Sequence, residues 1–348
     1  MTDHLGQSQV IAYLLKLASD SHVFSLISFE KPDRYRNISD SVRKMVYGKK
    51  INWYPIRYTK YPHILSTLFD LFRCFGKVFY LYTKHRFRVI HCRSHVPALI
   101  GLIMKRIFGV KFIFDMRGWW VDEKLESGHW ESWIYKVIYN LLKFLEKQFL
   151  LSSDYLVVLT YSTRKELLHR FPQLSERIIV IPTCVDFEFF GEFNHEARTE
   201  IRSSLNISEE TTVMVYSGSF GGNYEVESLL KLFKIFIERY PSGRFIILSK
   251  TDPELVSEKL SINGFMNDKL ELLNVEYGNV FRYLSAGDLG AIFYREDWSV
   301  IGRSPTKLAE YWACGLPVLG QELVGDLSHL QKLYPHGLTL VDSISKDS

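Results

Sequence analysis

Cysteine is scarce: only Cys74, Cys92, Cys184 and Cys314 occur in 348 residues. They form no C-x-x-C pair and no zinc-finger spacing, so a disulfide scaffold and a structural zinc site are both excluded, and reduced thiols fit a cytoplasmic protein. Long hydrophobic runs are missing as well. The most apolar stretch, 98–114, is broken by Lys105, Arg106 and Lys111 and cannot span a bilayer. Asp3, His4 and Gln7 interrupt any apolar start, so no signal peptide is expected. There is no D-x-D, no internal repeat and no low-complexity segment, and no Ser-His-Asp or Cys-His arrangement stands out. His91 and His95 of HCRSH (91–95) are separated by a strand-to-helix change, so no metal is expected there.

What is present describes a soluble globular chain: 47% hydrophobic, 24% charged and 15% aromatic residues. The net charge of +4 hides an asymmetry. Residues 1–185 hold 28 Lys and Arg against 15 Asp and Glu, whereas the remainder holds 15 against 24. A basic half joined to an acidic half suggests that the first half faces something anionic. Its basic residues are dispersed and no nucleic-acid motif appears, so nucleic acid is not expected as a partner. An anionic membrane surface is the remaining candidate, with Lys77, Lys84, Arg86 and Arg88 lying near aromatics.

Short β-branched or aromatic runs alternate with amphipathic stretches along the whole chain. HVFSLISF (22–29), INWYPI (51–56), RVIHCR (88–93), KFIFDM (111–116), DYLVVLT (154–160) and RIIVIP (177–182) read as strands of a first series. TTVMVYSGS, RFIILSK, LELLNV, LGAIFY and LPVLG read as strands of a second. Helical periodicity lies between them, as in Leu65, Leu68, Phe69, Phe72 and Phe75. This alternation implies an α/β protein of two Rossmann-like domains with doubly wound parallel sheets, with ligands in the crevice beyond the strand ends. The break falls near 181–193, giving domains 1–187 and 188–348.

Three stretches at strand ends carry candidate chemistry. In RSPTKLAEYWACGLPVLG (303–320), Ser304 reads as an N-cap and Pro305 as the first helical residue. Lys307 in the first turn opposes the helix dipole, which makes sense if an anion binds the free amides there. Glu310, one turn on, could accept the hydroxyls of a ribose. In isolation the stretch is equally a capped surface helix with a Lys–Glu pair. YSGSFGGNY (216–224) offers Gly218, Gly221 and Gly222, whose backbone can approach a phosphate. It is not G-x-G-x-x-G, so a nucleotide diphosphate suits it better than a nicotinamide cofactor. FDMRGWWVDE (114–123) places Asp115, Arg117 and Trp119 where a sugar could be stacked and hydrogen-bonded, or where a buried Trp simply anchors the loop.

Taken together, DHLGQSQV, RYTKYPHILSTLFDL, HCRSHVPALIG, FDMRGWWVDE, IPTCVD and SPTKLAEYWACGLPV resemble consecutive blocks of the bacterial group 1 glycosyltransferases, glycosyltransferase family 4. The resemblance implies a GT-B fold of two domains facing a cleft, the first for the acceptor and the second for a nucleotide-sugar donor. It implies retaining sugar transfer to a saccharide or lipid-linked acceptor in surface polysaccharide biosynthesis, without cofactor or obligatory metal. By resemblance, Arg303, Ser304, Thr306, Lys307, Glu310, Gly218, Gly221 and Gly222 bind the donor, with Lys307 and Arg117 as catalytic cations. Gly6, Gln7, Arg93, Asp115, Arg117 and Trp119 face the acceptor.

This sequence departs from the family pattern in two places. Gly302 stands where the first Glu of E-x7-E is usual, and SGSFGGNYEVESLLK lacks the usual Arg and Lys, a loss that Arg303 and Lys307 are placed to cover. The family also implies a strand before DHLGQSQV and closing helices beyond SISKDS, so both ends look truncated. Two other readings stay open: a GT-B sugar-nucleotide epimerase or hydrolase, and a non-catalytic nucleotide-sugar binder.

Overall fold

The computed structural model describes the chain except residues 4, 5, 20, 129, 131, 191, 192, 223, 263, 265–268 and 342–348, and except the side chains of 63, 64 and 189. His4 and Leu5 of DHLGQSQV, Asn223 of the glycine loop and the terminal SISKDS thus lie outside the described residues. The chain divides into two compact units, and not at a single point near residue 187. Unit 1 comprises Met1–Met116, Leu141–Val157 and Leu174–Ile179; unit 2 comprises Arg117–Asn140, Val158–Gln173 and Val180–Ser348.

Twelve strands are described: β1 (Phe24–Glu30), β2 (Ile51–Arg57), β3 (Val89–Arg93), β4 (Lys111–Asp115), β5 (Tyr155–Val158), β6 (Ile178–Val180), β7 (Val213–Ser217), β8 (Arg244–Leu248), β9 (Leu270–Leu273), β10 (Leu289–Ile292), β11 (Val318–Gln321) and β12 (Leu338–Val341). The eleven expected strands all form. β12 was not expected, because its four residues LTLV carry too little pattern to distinguish them from a loop.

Unit 1 holds a parallel pair, β1–β2, and a four-stranded sheet of order β3-β4-β5-β6. Among the described residues no ladder joins β1 to β3, and no strand precedes β1. The helix His63–His85 packs on this unit through Cys74, Val78 and Leu81, with Ser66 and Asp70 also buried. Leu65, Leu68, Phe69 and Phe72, which set the helical period in the sequence, are instead exposed. The helix is apolar on two sides, and periodicity alone cannot say which side meets the core.

Unit 2 carries a six-stranded sheet of order β12-β11-β10-β7-β8-β9, parallel throughout. Its strands read as continuous apolar runs because both faces are covered. Met214, Tyr216, Phe245, Ile247, Ala291 and Phe293 join one core with Leu229, Phe233 and Phe236 of the helix Val226–Arg239. The alternate residues Val213, Val215, Ile246, Leu248 and Ile292 join the other core with Leu308 and Tyr311. The strand period of two thus sorts one sequence into two helix layers.

β7 and β10 are neighbours although β8 and β9 intervene in sequence, so the strand order reverses between them. That junction is held by a partly buried ionic hub. Asp288 Oδ2 accepts from Val213 N at 2.7 Å and Arg202 Nη2 at 2.8 Å, and Oδ1 accepts from Arg198 Nη2 at 2.8 Å. Arg202 is 1% exposed and also donates to the carbonyls of Ala286 (3.0 Å), Ser208 (2.8 Å) and Thr211 (2.9 Å). Replacing Arg202 by Met therefore leaves the buried Ala286 carbonyl and several part-buried acceptors without their donor. Chemical denaturation should show unit 2 destabilised by about 3–5 kcal/mol; a change below about 1 kcal/mol would contradict this anchoring role.

Candidate functional site

In a doubly wound sheet the ligand crevice opens where the strand order reverses. In unit 2 that point lies beyond β7 and β10, and three sequence stretches converge there. The chain leaves β7 into Gly218, whose φ of +147° is open to glycine alone, and Gly221 and Gly222 follow at +124° and +67°. Gly218 has a second reason to lack a side chain. A Cβ there would overlap the Nζ and Cε of Lys307, arriving from the helix Thr306–Ala313.

Lys307 is buried, and its amine makes no hydrogen bond to the protein. It sits 3.6 Å from the centroid of the Tyr224 ring and 4.4 Å from that of Tyr216. Tyr294, just beyond β10, lies 4.8 Å from Tyr224 and carries the Arg303 guanidinium over its face at 5.0 Å. Burial lowers the Lys307 amine to about 7, against a partial upward pull from Glu310. Burial also pushes the phenols of Tyr216, Tyr224 and Tyr294 upward, so they stay neutral and supply no counter-charge. The rings offer only their quadrupoles.

Glu310 is buried one turn along the same helix and accepts from the Tyr277 hydroxyl at 3.3 Å. Burial raises its carboxyl, with Lys307 and then the Tyr277 bond opposing the shift. The next residue fixes the helix to the sheet: Tyr311 OH accepts from Ser217 N at 2.8 Å. The residues of the two separated stretches read as donor-binding, 216–224 and 303–310, are therefore brought together in unit 2.

Ser304 does not cap this helix. Thr183 holds it, with Thr183 N donating to Ser304 Oγ at 3.0 Å and Thr183 Oγ1 donating to the Ser304 carbonyl at 2.6 Å. Pro305 takes the cap position with extended ψ, and Thr306 is the first helical residue. Without a side-chain cap, the helix's first amides keep their donors.

Trp119 also differs from expectation. Its ring is 1% exposed, 4.8 Å from Trp298, with the Arg170 guanidinium 5.2 Å from its centroid. Enclosed in unit 2, it offers no open face for a sugar. It explains Gly302, however: a Cβ there would lie 2.8 Å from Trp119 Cδ1 and 3.2 Å from Gly118 Cα. A Glu at 302 would displace the Arg117–Trp119 turn. Arg117 itself is half-buried in that turn at φ +56°, and Glu123 lies 3.7 Å from Arg303.

The other acceptor-side residues belong to unit 1. Gly6 N donates to Asp3 Oδ1 at 2.7 Å, and Gln7 begins a five-residue π-helical turn. Arg93 Nη1 reaches the Gln9 carbonyl at 3.3 Å and lies 3.6 Å from buried Asp115, which His91 also approaches at 3.4 Å. Arg93 and Asp115 are thus neighbours, and Arg93 also reaches the turn that Gln7 begins. His95 turns away to Glu146 at 2.9 Å, so the two histidines of HCRSH serve different carboxylates.

Sequence reasoning missed Tyr216, Tyr224, Tyr277, Tyr294 and Thr183. A signal existed, since Tyr216 and Tyr224 bracket the glycine loop and Tyr294 ends LGAIFY.

The family model for glycosyltransferase family 4 matches residues 6–189, more than half of the chain. The chain belongs to glycosyltransferase family 4. It is a glycosyltransferase of GT-B fold, with parallel sheets in Rossmann-like arrangement. Among solved structures, sucrose-phosphate synthase from Thermosynechococcus elongatus is similar at 13% identity and TM-score 0.66, covering 94% of this chain and 87% of that one. HepE from Anabaena, solved with UDP and glucose, is similar at 13% identity and TM-score 0.64, covering 92% and 86%. WaaG, a glycosyltransferase involved in lipopolysaccharide biosynthesis, gives 13% identity, TM-score 0.62, and the same coverage of 92% and 86%. A search of curated protein sequences finds no match.

The buried amine has a consequence for stability. In the unfolded chain a lysine titrates near 10.4, whereas folded Lys307 titrates near 7. Between those values the unfolded state binds more protons, so stability rises with pH across that window. Relative to a Lys307→Met variant, the wild type should gain about 2 kcal/mol between pH 7.5 and 9. Chemical denaturation of both proteins at both pH values measures this, and a pH-independent difference would mean that Lys307 stays charged in the fold.

Proposed function

We propose that the protein transfers a sugar, with retention of anomeric configuration, from a nucleotide-diphosphate sugar to a saccharide or lipid-linked acceptor. The pathway is surface polysaccharide biosynthesis, and the enzyme works from the cytoplasm at the inner membrane face. The observation that carries this reading is the Lys307 amine, buried without a hydrogen bond against the backbone of Gly218 at the point where the strand order reverses. An unpartnered amine beside free helix amides and a glycine turn matches a diphosphate in charge and geometry. Glu310 then takes the ribose, and Arg303 stands in for the basic residues missing after β7. The structure of HepE with UDP and glucose supports a nucleotide-sugar donor, and the role of WaaG supports a cell-envelope pathway.

In the transfer, the bond from the sugar's anomeric carbon to the diphosphate oxygen breaks as the acceptor hydroxyl oxygen bonds to that carbon from the same face. The hydroxyl proton leaves on the departing diphosphate. Negative charge grows on the leaving group, so Lys307, Arg303 and the amides of Thr306 and Lys307 provide electrostatic stabilisation and no metal is called for. Arg117 is the second catalytic cation. Gly6, Gln7, Arg93 and Asp115 orient the acceptor.

Titration with nucleoside diphosphates and turnover of a nucleotide-sugar panel test the assignment. Glu310→Gln should weaken nucleoside-diphosphate binding roughly tenfold to hundredfold, the value of a charged hydrogen bond. Lys307→Ala should lower turnover more than affinity, because the charge it faces grows as the bond breaks. Unchanged affinity in Glu310→Gln would remove the ribose assignment. Nucleotide binding without turnover of any donor would favour a binding protein.

A further inference from the structure

The helix His63–His85 of unit 1 has two apolar sides, and the protein covers only one. Cys74, Val78 and Leu81 face the core. On the other side Leu65, Leu68 and Phe69 are more than half exposed, Phe72 is 75% exposed, and Phe79 and Tyr80 continue the row. At about 100° per residue these six side chains fall within an arc of about 120°.

The charges are just as one-sided. The helix contains a single acid, Asp70, which is buried and accepts from Thr59 N at 2.8 Å, Thr59 Oγ1 at 2.9 Å and Arg73 Nη1 at 3.3 Å, so its charge is spent within the protein on Arg73. Cations line the rim of the apolar arc and fold onto aromatic rings. Arg73 lies 5.5 Å from the Phe69 centroid, Lys77 4.7 Å from Tyr54 and 5.4 Å from Tyr80, and Arg86 5.3 Å from Tyr82. The loop fixed to the helix by Thr59 adds Lys60, 5.0 Å from the Tyr61 ring, and exposed Tyr58.

We propose that this outer face seats the protein on an anionic lipid bilayer, the helix lying in the headgroup plane. Leu65, Leu68, Phe69, Phe72, Phe79 and Tyr80 enter the acyl boundary while Lys77, Lys84 and Arg86 meet phosphates. The inference rests on the membrane placement proposed above and gives it a surface. No helix among the described residues is long and apolar enough to cross a membrane. A helix with one apolar face and a cationic rim fits the interface plane, its apolar face buried about 5–10 Å into the boundary between headgroups and acyl chains. A second copy is a poor occupant, because pairing this face with itself opposes two cationic rims with no carboxylate between them. An acidic protein would match the rim but not a row of phenyl rings standing free of any groove.

Sedimentation with phosphatidylglycerol and phosphatidylcholine vesicles tests the seat. The wild type should bind phosphatidylglycerol vesicles more tightly, with binding weakened by salt as surface charges are screened within about 10 Å at 0.1 M. Phe69→Ser with Phe72→Ser should reduce binding at least about tenfold. Lys77→Gln and Lys84→Gln should each reduce it about fivefold. Ile235→Ser, which removes an exposed apolar side chain from unit 2, should change nothing. Nucleoside-diphosphate affinity should be the same in every variant, so loss of vesicle binding and loss of the donor site are separately visible. Equal binding to both vesicle types would overturn the proposal, as would full binding by the double serine variant. A dimer of the wild type that the same double variant converts to monomer would assign the face to a second copy instead.

Discussion

The contact between the Lys307 side chain and the backbone of Gly218 constrains everything around it in unit 2. An amine that deep has lost its water, and no hydrogen bond to the protein replaces it. A Cβ at 218 would force the end of the lysine side chain aside, and the φ of +147° by which the chain leaves β7 favours glycine. The contact therefore fixes two positions in sequences almost ninety residues apart. It also fixes the helix register, since Tyr311 must reach Ser217 N from the same helix. The Asp288–Arg202 hub keeps β7 beside β10, and without that pairing Tyr224 and Tyr294 would not meet across the reversal point.

Charge logic explains why the surrounding residues are tyrosines. A carboxylate against Lys307 would satisfy the amine permanently and compete with any anionic ligand. Neutral rings stabilise a cation only weakly and leave it available. Burial pushes the Lys307 amine down to about 7, and Glu310, one turn away, pulls only partly against this without closing on it. On the proposed reading, this arrangement reserves full positive charge for the moment when a diphosphate is present. The absence of the usual glutamate at 302 belongs to the same design. Gly302 gives its space to Trp119, and the turn carrying Arg117 rests on that packing.

Much of this was legible in the sequence, and the failures have physical causes. Alternating apolar runs located eleven strands, because parallel strands covered on both faces are nearly pure hydrophobic segments. LTLV at β12 was too short to register. The stretch SPTKLAEYWACGLPV announced a helix with a basic first turn, yet Ser304 is claimed by Thr183, a partner 121 residues away that no local capping rule anticipates. Trp119 lay in a motif that suits sugar stacking, but composition cannot tell a stacking ring from a buried one. Leu65, Leu68, Phe69 and Phe72 show the reverse error, as their period is helical while their surroundings are solvent. Tyr216, Tyr224 and Tyr294 stand at or near strand ends in the sequence, but that they surround Lys307 follows only from the strand order that brings β7 beside β10.

The claim on which the functional account turns is that Lys307 gains its proton when a diphosphate arrives. Calorimetric titration of a nucleoside diphosphate at pH 8, in two buffers of different ionisation enthalpy, measures the protons exchanged on binding. The account expects uptake of close to one proton by the wild type and none by Lys307→Met. Equal proton exchange by the two proteins would contradict it and remove Lys307 from the diphosphate site.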